Sequence, residues 1–245
     1  VSNQTVKAVT IPNTVTVIGD KAFMNSAIAN ITIPESVKVI GNNAFENAAS
    51  LKKVTLSKNL EEMGKAIFKN CSRLASITLP LTLKNIPVDA FLNCSSLAKV
   101  GLGSVETIGK FAFKGCENLV VIELPNTLTE LDPMSFYGCT SLEAINVTEG
   151  NVKFKSVEGV VISTNEDNVF DTLALYPAGK QGGYAVAEDI KNIADRAFYN
   201  CDKLTEITFS NNIERIGTES FFDCDAIISV TLPEGARKVG DYAFA

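Results

Sequence analysis

The sequence predicts an α/β solenoid. The expected form is a curved, right-handed horseshoe-type stack of ten coils, with one short parallel strand per coil on the concave face, one short helix per coil on the convex side, and one β-hairpin insertion. Three observations predict it. Phenylalanine recurs at Phe23, Phe45, Phe68, Phe91, Phe113 and Phe136, then at Phe198, Phe221 and Phe244, always 22 or 23 residues apart except for one interval of 62. A second ladder leads it by about twelve positions, through Ile11, Ile33, Leu56, Leu79, Leu102, Leu124, Val147, Val186, Phe209 and Leu232, with a single long interval of 39. Finally, one 22-residue unit has too few apolar residues to bury them alone, so a fixed period of this length implies stacking.

Each coil reads the same way. In Leu74-Ala-Ser-Ile77-Thr-Leu79-Pro80, Ile77 and Leu79 alternate with Thr78, the period of a short strand with one face buried. The spacing recurs in Leu51/Val54/Leu56, Leu119/Ile122/Leu124 and Leu204/Ile207/Phe209. Proline follows at Pro12, Pro34, Pro80, Pro125 and Pro233, where its missing donor turns the chain out of the ladder. A second apolar pair comes next, such as Val15/Ile18 or Val37/Ile40, then glycine, then a stretch ending in Ala-Phe. That stretch is expected to form one or two helical turns, entered at one coil through Asp132-Pro133. Asn25, Asn47, Asn70, Asn93, Gly115, Gly138, Asn200 and Asp223, each two residues past a phenylalanine, suit a left-handed C′ cap. The whole chain, 1–245, is expected to be one solenoid domain, with the hairpin insertion at 149–183.

Composition narrows the function. There is no histidine among the 245 residues, so His-dependent nucleophile systems, imidazole acid–base catalysis and His-ligated metals are excluded. A net charge of −6 argues against nucleic acid. No apolar run reaches the roughly 18 residues of a membrane helix. No catalytic constellation, metal site or cofactor motif emerges, and an enzyme is not expected.

The run LxxIxL-Pro, then VxxIG, then xxAFxxC, at 22–23 residues, resembles the BspA-like leucine-rich repeats of bacterial surface proteins. The segment Phe154-Lys-Ser-Val-Glu-Gly159-Val-Val-Ile162, followed by Leu173-Ala-Leu-Tyr176-Pro177 and Tyr184-Ala-Val186, resembles the hairpin such proteins carry between coils. Pro87, Asp132 and Ala194 stand where the family has glycine. The resemblance implies a secreted or cell-surface protein of host-associated bacteria or protists, adhesin-like, with a protein partner; it supplies no catalytic residues. No charged-plus-apolar leader opens the chain, so a signal peptide is expected to have been removed or to lie outside this sequence, which reads as a segment of a longer or trimmed protein.

Six cysteines, at 71, 94, 116, 139, 201 and 224, each fall three residues after the coil phenylalanine. They share one structural position with parallel side-chain vectors, so buried free thiols are preferred to disulfides or a thiolate metal site. Two readings stand for the exposed strand rows. The threonines at 10, 32, 55 and 78 suit any solvated strand, or they form a polar platform for a protein or glycan. Lys52, Lys53 and the neighbouring cations, with Lys99, are a solvated rim or a patch for an anionic partner. In the insertion, Lys153, Phe154, Phe170, Tyr176 and Tyr184 bring aromatic and cationic chemistry to a partner, or the apolar members anchor the hairpin to the flank. The candidate partner-binding set is therefore Lys52, Lys53, Lys99, Lys153, Phe154, Phe170, Tyr176 and Tyr184. The competing function is a passive stalk.

Overall fold

The computed structural model describes residues 6–245. The chain folds as two compact units, one of residues up to 119 together with 127–139, the other of 120–126 with 140–245.

In the first unit each regular coil contributes two short parallel strands. Asn30–Thr32, Lys53–Thr55, Ser76–Thr78 and Lys99–Gly101 form a four-stranded sheet. Ile31, Val54 and Ile77 point inward while their neighbours are exposed. The second apolar pair is also a strand, in two ladders: Val17–Ile18, Val39–Ile40 and Glu62–Met63, then Asn85–Ile86, Thr107–Ile108 and Glu130–Leu131. Between the ladders the phenylalanine rings stack at 5.1, 5.3, 5.5, 5.2 and 5.3 Å from Phe23 to Phe136. Each pair contributes about 0.5–1.5 kcal/mol beyond its buried area. No strand forms around Ile11 or Leu232.

The α/β class and the short helix per coil are overturned: no helix occurs among the described residues, and the architecture is a β-solenoid with two strands per regular coil rather than one. The reason lies in the backbone hydrogen bonds. Across Gly19–Ser26, the N–H groups of Lys21, Phe23 and Asn25 donate to Asn42, Ala44 and Glu46 on the next coil, at 2.7–2.8 Å. Those of Ala22, Met24 and Ser26 donate three residues back, to Gly19, Lys21 and Phe23. A helix needs every N–H for its own i−4 carbonyl. Here alternate groups leave the coil, giving a ribbon of turns cross-linked like a sheet. The ribbon also needs two left-handed residues, four apart: Lys21 and Asn25, Asn43 and Asn47, Ala66 and Asn70, Asp89 and Asn93, Phe111 and Gly115. All eight expected cap positions are left-handed, yet they close turns, not helices. Along them, side-chain amides bond coil to coil, Asn47 to Asn25 at 3.1 Å, Asn70 to Asn47 at 2.7 Å and Asn93 to Asn70 at 3.0 Å.

The second unit holds the insertion, built into the sheet. Phe154–Val157, Val160–Thr164 and Phe170–Leu175 form an antiparallel meander. Its last strand continues in parallel onto Asn192–Ile193, Arg215–Ile216 and Lys238–Val239, with Leu173 opposite Ile193. The first-strand ladder is split into Val121–Leu124 with Ala144–Val147, and Gly182–Ala185 with Leu204–Thr208. The hairpin satisfies part of the open edge: Ile145 N–H donates to the Gly159 carbonyl and Val147 N–H to Ser156 Oγ, both at 2.9 Å. Gly159 is required there, since its φ is +79° and an added Cβ would lie 2.7 Å from that of Ala144. Val160, Ile162, Leu173 and Tyr176 join Phe198 and Phe221 in one apolar cluster.

Candidate functional site

The first unit presents its polar face on the first-strand sheet. Pairing of Asn30 with Lys53, Lys53 with Ser76 and Ser76 with Lys99 places these side chains in one column, and Thr32, Thr55 and Thr78 stand in the next. Lys52, Lys53 and Lys99 are exposed. The floor is shallow: one groove of about 760 Å³ runs over Thr10, Asn30, Thr32, Lys53 and Thr55, and another of about 350 Å³ over Lys53, Lys58, Ser76 and Thr78. The face offers hydroxyls and ammoniums without an enclosed reactive group.

In the second unit Asn151 Oδ1 accepts the N–H groups of Lys153 and Phe154, each at 2.8 Å, and starts the meander. Lys153 is exposed, with Nζ 3.2 Å from Asn168 Oδ1. Phe154 and Phe170 are half-buried. Lys155 lies over the Phe170 ring at 5.2 Å and pairs with Asp189 at 3.6 Å. The exposed apolar residues here are Val152, Val157 and Val169, which sequence reasoning missed. For Val157 the signal was its odd spacing of three from Phe154, which puts the two on opposite faces of one strand.

Tyr176 is not at the surface. It is 3% exposed, stacks on Phe198 at 4.8 Å and receives Tyr184 edge-on at 5.1 Å. Its N–H donates to Ala197 as those of Phe23, Phe45, Phe68, Phe91, Phe113, Phe198 and Phe221 donate to the following coil, so Tyr176 fills the phenylalanine slot. Burial pushes its hydroxyl up, and that oxygen has no hydrogen-bond partner. Burial, Glu158 and Asp189 raise that of the half-buried Tyr184.

All six cysteines are buried free thiols. In five coils Sγ donates to the carbonyl of the phenylalanine one coil back, as Cys71 to Phe45 and Cys94 to Phe68, both at 3.1 Å. Cys201 does the same to Tyr176 at 3.9 Å. Burial pushes Cys71 and Cys139 up to about 12, and Cys94 and Cys116 well above the usual range. Cys224 departs from this because its contact with the Cys201 side chain lowers it. Among the described residues no group of three or more acidic or cysteine side chains could hold a metal ion, and no helix is long and apolar enough to cross a membrane.

Parallel coils of two short strands and a turn ribbon, with a leucine or isoleucine set inside, define a leucine-rich-repeat protein. More narrowly, the chain belongs to the BspA type leucine rich repeat family, whose description (6 copies) matches residues 2–105, 101–158 and 184–245. Three solved structures are similar. A leucine-rich repeat protein from Bacteroides ovatus shares 27% identity over 97% of this chain and 63% of its own, with a TM-score of 0.71. The pneumococcal vaccine antigen PcpA shares 28% over 91% and 57%, at 0.77. A leucine rich cell surface protein from Faecalibacterium prausnitzii shares 25% over 94% and 74%, at 0.66. The chain thus spans about three fifths of the length of the first two. No curated protein matches it.

Proposed function

We propose that this is a non-catalytic, adhesin-like binding module of a bacterial cell-surface protein, working outside the cell on host or cell-surface proteins. The observation that carries the reading is the kind of surface displayed. The first unit shows an open polar sheet studded with Lys53 and Lys99, and the second shows Lys153, Val152 and Val157 on a built-in meander. Distributed apolar and cationic contacts of this sort suit protein recognition rather than a small-molecule pocket. The similarity to a leucine rich cell surface protein supports the location.

The test is saturable binding of the purified chain to immobilised extracellular-matrix and mucin proteins. Deleting the meander would remove buried Val160 and Ile162, so the variants are confined to exposed side chains. Loss with V152S/K153S/V157S assigns the meander; loss with K52S/K53S/K99S assigns the polar sheet. Absence of binding to every component would refute the module reading and favour a passive spacer.

A further inference from the structure

The turn ribbon of the first unit carries a cluster that the strand faces lack. Lys110 Nζ and Lys114 Nζ lie 4.9 and 4.8 Å from the centre of the Phe111 ring, and Lys114 also lies 4.7 Å from that of Tyr137. Among the described residues no carboxylate is within ion-pair distance of either ammonium; the cations that are paired are Lys38, Lys69, Lys84, Lys155, Arg196, Arg215 and Arg237. The second unit supplies an internal control. Its ribbon holds a stacked pair, Tyr199 and Phe222, at 5.1 Å, but the guanidinium groups on that side are matched, Arg196 by Glu219 at 2.6 Å and Arg215 by Asp195. On the first unit's ribbon, by contrast, two ammoniums without a carboxylate partner share one ring.

Phe111 has φ +58°, in a slot that other coils give to Lys21, Asn43, Ala66, Asp89, Arg196, Glu219 or Tyr242, so the repeat dictates this backbone and the sequence places a ring on it. Both ammoniums lie over the Phe111 ring, and ring edges carry partial positive charge. Asp89 sits one coil back in the slot of Phe111, its N–H bonded to the Lys110 carbonyl at 3.2 Å, yet its carboxylate pairs with neither ammonium.

We propose that Lys110, Phe111 and Lys114 form a docking surface for an acidic polypeptide segment, distinct from the strand-face and meander surfaces above. Both ammoniums lie within 4.9 Å of one ring centre. Glutamates at alternate positions of an extended segment, about 7 Å apart, reach both, with their methylenes on the ring edge. A sugar would need an open ring face for stacking, and the two ammoniums compete for that position over Phe111. The combination of a central aromatic with flanking cations is that of a protein–protein anchor.

The test uses the full chain and fluorescein-labelled poly-L-glutamate, followed by polarisation, with heparin as the glycan arm. Binding should weaken from 50 to 200 mM salt as screening increases, and K110S/K114S should lose about tenfold in affinity. F111G, which removes the ring and relieves the backbone, should lose part of it, while K52S/K53S/K99S should bind as the parent does. The lysine variants should keep the parent melting temperature, whereas F111G is compared only after its folding is confirmed by its own melting curve. No binding of poly-L-glutamate, equal binding by K110S/K114S, loss in K52S/K53S/K99S instead, or tighter heparin binding through the same lysines would each overturn the proposal. Repeating the matrix-protein assay with K110S/K114S separates the two readings: the module reading fails if the parent binds no matrix protein, and this one fails if poly-L-glutamate binding ignores the two lysines.

Discussion

The regular coils between Phe23 and Phe136 and the interrupted coil from Leu142 to Tyr184 solve the same packing problem differently. In the regular coils the inner slots and both strand ladders repeat together. In the interrupted coil the inner slots persist, Leu173 where isoleucine belongs and Tyr176 where phenylalanine belongs, while the first-strand ladder breaks and a meander covers the gap. The repeat is thus defined by what faces inward. An outward strand can be traded for other backbone as long as its N–H groups find acceptors, as those of Ile145 and Val147 do.

That contrast can be broken most severely from the regular side. Phe68→Ala empties a fully buried slot between two stacked rings and should cost about 3–5 kcal/mol, read from the urea midpoint. Gly159→Val tests the junction of the interrupted coil; a clash with Ala144 on top of a left-handed backbone should cost about 2–3 kcal/mol. Tyr176→Phe should go the other way, stabilising by about 1 kcal/mol, because it removes a buried hydroxyl without a partner and restores the regular residue. Per site, the thiols give an effect no larger than that at neutral pH, and one that grows only in alkali. Cys71 and Cys139 are held at about 12 when folded, above their ordinary 9.0. Their contribution is complete below pH 9; above it the unfolded chain loses these protons first, so stability falls until about pH 12. C71A/C139A should flatten that alkaline slope at a cost of about 1 kcal/mol per site at pH 7, measured by urea unfolding across pH 8–11.

Much of the interior was legible. The phenylalanine and leucine ladders, the inward Ile31, Val54 and Ile77, and the shared cysteine position all follow from period and alternation. The helices were the error. A left-handed residue can be read where it is Asn or Gly, but the first one in each ribbon is as often Lys21, Ala66, Phe111, Arg196 or Glu219, residues that give no local sign of it. Two-residue strands such as Val39–Ile40 are too short for alternation to register. For the candidate site, exposed Lys53 and Lys99 were legible because strand parity is, whereas Tyr176 was placed on the surface by its chemistry. The spacing said otherwise, since Tyr176 precedes Phe198 by 22 residues.

The alternating ribbon bonds also have a mechanical consequence. In the first unit the contacts from Lys21, Phe23 and Asn25 to the next coil, and the asparagine amides beside them, run from coil to coil. A pull that separates neighbouring coils loads this row in tension, a few bonds at a time, rather than shearing all of them at once. Each coil torn away frees 22 or 23 residues, about 75 Å of extended chain. Under flow, such a unit would lengthen in steps and shed load while the coils behind it stayed folded.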